Sequence, residues 1–293
     1  TSSGFEMAER RGDVSVEVAT DWISRQRGRW FAWVHLFDPH APYDPPSPYR
    51  EQYADQPYFG EVAFTDSVLA RLFDAARDLS GRPTLVIVTG DHGEGLGDHG
   101  EMTHGLFAYE PTLRVPLIIA QIGPRTAPWA GSTTGGAPDT RGRVSSVTVR
   151  HVDIVPTVLD ALKLTIPANL PGLSLLSATS RADGGTASYF ESMSASFNRG
   201  WAPLTGVLVD REKYIELPLP ERYDLGKDPG EQTNLVNQDP ARTRDLIAQM
   251  AQAAAARGMP ASIEFLPESG IPNMQAALDV IAEVGQGLTL LVD

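Results

Sequence analysis

Most of the chemistry this chain could do is concentrated between Asp91 and His104. Within those fourteen residues stand Asp91, His92, Glu94, Asp98, His99, Glu101 and His104. They follow directly on Thr84-Leu-Val-Ile-Val-Thr89, an apolar, β-branched run of strand length. In open α/β sheets, ligands gather beyond the carboxyl ends of the strands. An adjacent acid and imidazole at such an end can offer one carboxylate oxygen and one ring nitrogen to a divalent ion. The same text also fits a solvated acidic loop, which is how most charge runs fold.

If the acids and histidines face a cation, that cation would polarise a phosphoryl or sulfuryl oxygen. Histidines outside its shell could hold the non-bridging oxygens or protonate a leaving group. His104, on the far limb of the acidic loop, is one candidate. His40 is another, in Asp38-Pro-His-Ala-Pro-Tyr-Asp-Pro-Pro46, a loop stiffened by four prolines. A lone loop histidine is more often solvated than functional. Gly95-x-Gly97-x-x-Gly100 matches the dinucleotide fingerprint. Glu94, Asp98 and Glu101 flank its glycines, however, and a pyrophosphate needs a helix N-terminus clear of negative charge. That match is set aside.

The elements that would position these residues can be read in order. Asp13 is placed to cap a helix with Val14, Val18 and Trp22 on its inner face, ended by Gly28. Trp30 to Phe37 is a second apolar run, aromatic and suited to a core strand. If it lies parallel to Thr84–Thr89, the loops carrying His40 and His104 share a rim, and both rings converge beside Asp91 and His92. Glu61 to Leu79 reads as a helix with Val62, Leu69, Leu72, Phe73 and Ala76 buried. Val115 to Ile119 and Val144 to Val149 read as strands, separated by a Gly-, Pro-, Ser- and Thr-rich surface excursion. Asp153 is placed to cap a helix running through Leu162.

Beyond the loop-rich stretch Leu164 to Gly185 the pattern shortens. Ala187–Glu191, Leu204–Val209 and Glu212–Leu217 are short strand candidates, and the tight Val209-Asp210-Arg211 connection predicts antiparallel pairing. Pro240 to Arg257 is an Ala-rich helix, and the remainder fits strand, helix, strand. The fold class is therefore α/β over residues 1–185, then a small C-terminal α+β subdomain of antiparallel strands over 186–293.

Composition narrows the function classes. The 293 residues carry 24 basic and 37 acidic side chains, net −13, which argues against nucleic acid as a partner. There is no cysteine, hence no thiol nucleophile and no zinc–thiolate site. No apolar run approaches the length of a membrane span.

Several separated motifs now add up to a resemblance. Phe37-Asp-Pro-His40-Ala-Pro-Tyr43, Thr89-Gly-Asp91-His92-Gly-Glu94, Leu96-Gly-Asp-His-Gly100 and Arg114-Val-Pro116 are similar to motifs of the sulfatase branch of the alkaline phosphatase superfamily. So are Val152-Asp-Ile-Val-Pro156-Thr, Tyr223-Asp-Leu225, Asp228-Pro-Gly-Glu231 and Asn234-Leu235, in the family's own order. The likeness covers residues Gly4 to Arg257.

The resemblance implies an alkaline-phosphatase-like α/β fold, a mixed sheet sandwiched by helices, and hydrolysis of sulfate esters. It implies that Asp91 and His92 are metal ligands for one divalent ion, Ca²⁺ or Mn²⁺, the imidazole favouring Mn²⁺. It implies that His40 and His104 bind the substrate's oxyanion and assist departure of the alcohol. His92, where many arylsulfatases have Asn, is similar to phosphonate monoester hydrolases, choline sulfatases and lipid-headgroup transferases. A phosphate or phosphonate ester hydrolase, a phosphoryl-headgroup transferase and a non-catalytic paralogue are therefore the alternatives. The family's nucleophile is a formylglycine made from Cys or Ser in a C/S-x-P-S-R box, or a Ser or Thr in phosphoryl-transferring relatives. No such box occurs here; Ser47-Pro-Tyr-Arg50 is not one. The chain is thus expected to be the C-terminal portion of a sulfatase. The formylglycine would belong to an absent N-terminal segment, which is then also an expected partner at an exposed sheet edge. A small sulfate or phosphate ester is the expected substrate.

Overall fold

The computed structural model describes residues 10–78, 83–123, 142, 144–176, 187–256, 261–264, 274–284 and 288–291. It forms two compact units, one of Thr1–Thr89 with Leu117–Pro138, the other of Gly90–Pro116 with Asp139–Asp293.

The first unit holds helices α1 (Gly12–Ser24), α2 (Tyr49–Gln52) and α3 (Pro57–Asp78) and strands β1 (Thr84–Thr89) and β2 (Leu117–Ile122). Its core is Val16 and Ile23 of α1 against Phe64, Val68 and Leu72 of α3. The inner face of α1 differs from the expected one: Val14, Val18 and Trp22 are 43–54% exposed. The helix carries two apolar stripes at helical spacing, and packing on α3 selects Val16, Ala19 and Ile23. Likewise Val62 of α3 is exposed while Phe64 and Val68 are buried.

Trp30 to Phe37 has no regular secondary structure and pairs with no strand among the described residues. Its side chains alternate: Trp30, Val34 and Leu36 pack on the helical core, whereas Phe31 and Trp33 are 73% and 84% exposed. This is the period of a strand without its ladder. β1 pairs antiparallel with β2, Thr84 opposite Ile122 and Thr89 opposite Leu117. The expected parallel pairing of β1 with Trp30–Phe37 is therefore not seen. β1 is only half-buried, consistent with a two-stranded sheet.

The second unit opens with the acidic loop, a short helix α4 (Glu110–Leu113), and then α5 (Ile154–Ala161). Val144 to Val149, expected as a strand, is irregular, with Val144 and Val147 exposed. Much of the preceding excursion lies outside the described residues. Asp153 is fully buried, yet its carboxylate accepts the N–H groups of Arg150 (2.8 Å) and Leu173 (2.9 Å) rather than those of α5. It ties the loop at Leu173 to the start of the short 3-10 turn His151–Asp153 instead of capping α5.

Next come β3 (Ser188–Ser192), α6 (Ser194–Arg199), β4 (Leu204–Val209), β5 (Glu212–Glu216) and β6 (Glu221–Asp224). The four strands form one antiparallel sheet in chain order, with β4 and β5 joined through Asp210-Arg211 as expected. Helix α7 (Pro240–Ala255) starts at Asp239, whose side chain accepts the Arg242 N–H at 3.0 Å. It packs Leu246, Ile247, Met250, Ala251 and Ala254 onto Val207, Val209 and Tyr214 of the sheet. Its alanines leave little side-chain bulk between helix and strands. A closing β7 (Ala261–Glu264), α8 (Met274–Val284) and β8 (Leu288–Leu291) gives the expected strand–helix–strand, with the strands parallel.

Candidate metal and oxyanion site

The acidic loop is built as two limbs clasped by backbone hydrogen bonds. Gly93 N–H donates to Thr112 O at 2.8 Å, and Gly95 N–H donates to Thr103 O at 2.7 Å. Both positions require glycine: a Cβ at Gly93 would stand 2.0 Å from Pro111 O, and one at Gly95 2.4 Å from Glu101 O. Gly97 and Gly100 serve instead by conformation, at φ of 99° and 78°. The glycines that mimic a nucleotide fingerprint thus close a loop on itself. Glu101 is buried and accepts the Leu106 N–H at 2.6 Å, folding the turn from within. Ala108, Phe107 and Tyr109 then pack against Leu204, Ile215 and Tyr223 of the sheet.

This clasp gathers Asp91, His92 and His104. Asp91 and His92 stand two and three residues past the end of β1. Asp91 is exposed, its Oδ1 accepts the His92 N–H at 3.0 Å, and the same oxygen lies 3.9 Å from His92 Nε2. His92 Nδ1 is 2.9 Å from Gly93 O. A carbonyl only accepts, so Nδ1 carries the proton and the lone pair of the neutral ring is on Nε2, the nitrogen beside Asp91. Metal-binding histidines are commonly held this way, by a carbonyl on the other nitrogen. The His104 ring lies 4.0 Å from that of His92, centroid to centroid. Its Nδ1 is 3.2 Å and 3.3 Å from the two oxygens of Glu94, whose side chain is 4% exposed.

His99, an acidic-loop histidine with no assigned part, stacks on Tyr109 with centroids 3.7 Å apart and sits near Gly230 O. It braces the loop. Among the described residues no group of three or more His, Cys, Asp or Glu side chains is arranged to hold a metal ion. Asp91 and His92 therefore fit two ligands of an ion, not a full shell.

His40 belongs to the first unit. Its N–H donates to Glu61 Oε2 at 3.0 Å while Asp44 N–H donates to Glu61 Oε1 at 2.8 Å, so one carboxylate of α3 spans the loop. Asp38 Oδ2 accepts the Gly12 N–H at the start of α1, 2.6 Å away. The ring rests on Phe37 at 4.3 Å, and its Nδ1–H donates to Ala41 O at 2.7 Å. Burial pushes the Glu61 carboxyl above the usual carboxylate range, against the opposing pull of its two N–H donors. Neither Glu61 nor Glu94 stands out in the sequence as a support for a histidine. The first is twenty-one residues from His40 and the second ten from His104, with no local pattern marking either.

Residues 10–164 match the sulfatase family model. The chain belongs to the sulfatase family. Arylsulfatase K of Xenopus laevis is 30% identical over 207 residues, which is 64% of this chain and 35% of that protein. The chain thus spans about a third of the length of such relatives. Among solved structures, a Bacteroides fragilis sulfatase superposes with a TM-score of 0.68 at 19% identity, covering 85% of this chain and 59% of that one. The phosphonate monoester hydrolase of Agrobacterium radiobacter superposes with a TM-score of 0.64 at 20% identity, covering 85% and 62%. The mixed α/β architecture with antiparallel sheets is that of the alkaline-phosphatase-like fold.

Proposed function

We propose that these residues serve a metal-dependent hydrolase of sulfate esters, supplying half of its ion site and its oxyanion-binding histidines. The observation that carries this reading is the Asp91–His92 pair. Two donors of the right types lie 3.9 Å apart, and His92 is tied through Nδ1 so that Nε2 is the ligating nitrogen. Bond lengths of about 2.0–2.3 Å let one ion reach both. The imidazole favours Mn²⁺ over Ca²⁺. Such an ion, when bound, polarises an ester oxygen and lowers the pKa of a hydroxyl on it.

The histidines divide the remaining work. His104 and His40 bind the non-bridging oxygens and hand a proton to the departing alcohol oxygen. The nucleophile, a formylglycine on the family's pattern, is not among these residues, since no C/S-x-P-S-R box occurs in them. An expected docking place for a segment that bears it is residues 30–37, where Phe31 and Trp33 are exposed and no strand pairing occurs among the described residues. The alternative, a phosphate or phosphonate ester hydrolase, is favoured by one observation: His rather than Asn follows Asp91.

The test is to express the whole open reading frame that encodes these residues and to assay aryl sulfate, aryl phosphate and aryl phosphonate esters with Mn²⁺ or Ca²⁺. Preference for the sulfate ester, abolished by His92→Ala, is expected. Preference for phosphate or phosphonate moves the protein to the alternative. No turnover of any ester overturns both.

A further inference from the structure

Glu94 is a buried acid for which the reaction above has no use. Its place is nevertheless fixed from both sides. The residues on either side of it, Gly93 and Gly95, are each clasped to the returning limb, at Thr112 and at Thr103. Thr103 immediately precedes His104, so the clasp that fixes Glu94 also fixes the backbone beside that histidine. The carboxylate meets the ring nearly symmetrically, at 3.2 Å and 3.3 Å from Nδ1. The ring of His92 lies against it as well, tilted by 33° with centroids 4.0 Å apart. His104 thus meets a carboxylate at Nδ1 and a second imidazole at its ring.

We propose that Glu94 is the positioning residue of His104, keeping a proton on ring Nδ1 so that Nε2 is the nitrogen offered to substrate. A carboxylate can only accept, so the contact requires a proton on Nδ1. That holds whether the ring is neutral or charged. With Nδ1 committed, the ring cannot turn over to present its other nitrogen without losing a part-buried hydrogen bond to a carboxylate. The consequence for catalysis rests on the reading of His104 as a substrate-binding group; the tautomer itself does not.

The experiment is long-range ¹H–¹⁵N correlation NMR on the 293-residue chain labelled at histidine, at a pH where the rings are neutral. The His104 signals are assigned by their loss in His104→Gln. Wild type is expected to show the Nδ1–H tautomer. In Glu94→Ala the tautomer ratio is expected to fall about tenfold or more toward Nε2–H, the equilibrium weight of a hydrogen bond to a charged group. Should Glu94→Ala fail to fold, Glu94→Gln keeps the volume, and its amide, which can accept through Oε1 or donate through Nε2, no longer demands a proton on Nδ1, so the ratio should again move toward Nε2–H. An Nε2–H tautomer in wild type, or a wild-type ratio in whichever variants fold, overturns the proposal. If the tautomer follows Glu94 but the whole gene product turns over no ester, positioning stands and only the functional reading falls.

Discussion

The ammonium of Lys213 lies 2.7 Å from the carboxylate of Glu231, and both side chains are fully buried. The approach is a charge contact rather than a well-directed hydrogen bond to that oxygen. Lys213 also reaches Glu110 at 2.9 Å and Ala108 O at 3.3 Å, while the other Glu231 oxygen accepts the Glu110 N–H at 2.6 Å. The end of the acidic loop is thus nailed to β5 through one buried cation. Removing one partner of such a pair leaves an uncompensated charge. Lys213→Met is expected to cost about 3–5 kcal/mol in urea unfolding, and Lys213→Met with Glu231→Gln should recover part of it. A loss below about 1 kcal/mol for the single variant would mean that the charges find other partners.

The clasp of the loop predicts a second cost. Gly93→Ala puts a methyl 2.0 Å from Pro111 O, which is main chain and cannot swing aside. Overpacking of this kind destabilises by about 1–3 kcal/mol. Because Gly93 adjoins His92, Mn²⁺ affinity measured by calorimetry should fall as well. Full stability with unchanged affinity would contradict the clasp.

Glu61 gives a pH signature. Burial raises its carboxyl in the folded chain above the unfolded value near 4.5. A raised pKa contributes stability that is fully present below the unfolded pKa and is lost as pH rises through the folded one. The stability of wild type relative to Glu61→Gln should therefore be greatest near pH 4 and decline toward pH 7. Parallel urea midpoints across that range would show that Glu61 feels no desolvation.

Asp91→Ala and His92→Ala test the ion site directly. Each is expected to weaken Mn²⁺ binding to the 293-residue chain by tenfold or more, on the order seen when the shell of a bound metal is disturbed. Binding that survives both would place the ion elsewhere.

The 293-residue chain alone is expected to release no nitrophenol from aryl sulfate or aryl phosphate. Its sequence has no C/S-x-P-S-R box, the proposed reading assigns it only two ligands of the ion, and losing a hydrolase nucleophile costs on the order of a millionfold in rate. Multiple turnovers abolished by His92→Ala would refute this.

Elements whose signals are local can be read from the amino-acid order. The β1 run, α3, α7, the β4–β5 connection and the loop between Asp91 and His104 were legible because strand alternation, caps and tight turns act over a few residues. The family was legible because its motifs recur in order. Tertiary structure alone decided which stripe of α1 turns inward, since Val14–Val18–Trp22 and Val16–Ala19–Ile23 are both apolar and only α3 chooses between them. It decided that Trp30 to Phe37 keeps a strand's alternation without a ladder among the described residues, because pairing is a property of neighbours, not of the segment. It also assigned Glu61 to the His40 loop and Glu94 to the His104 ring. A buried carboxylate finds its donors across space, and nothing in its own neighbourhood of sequence records which ones it will meet.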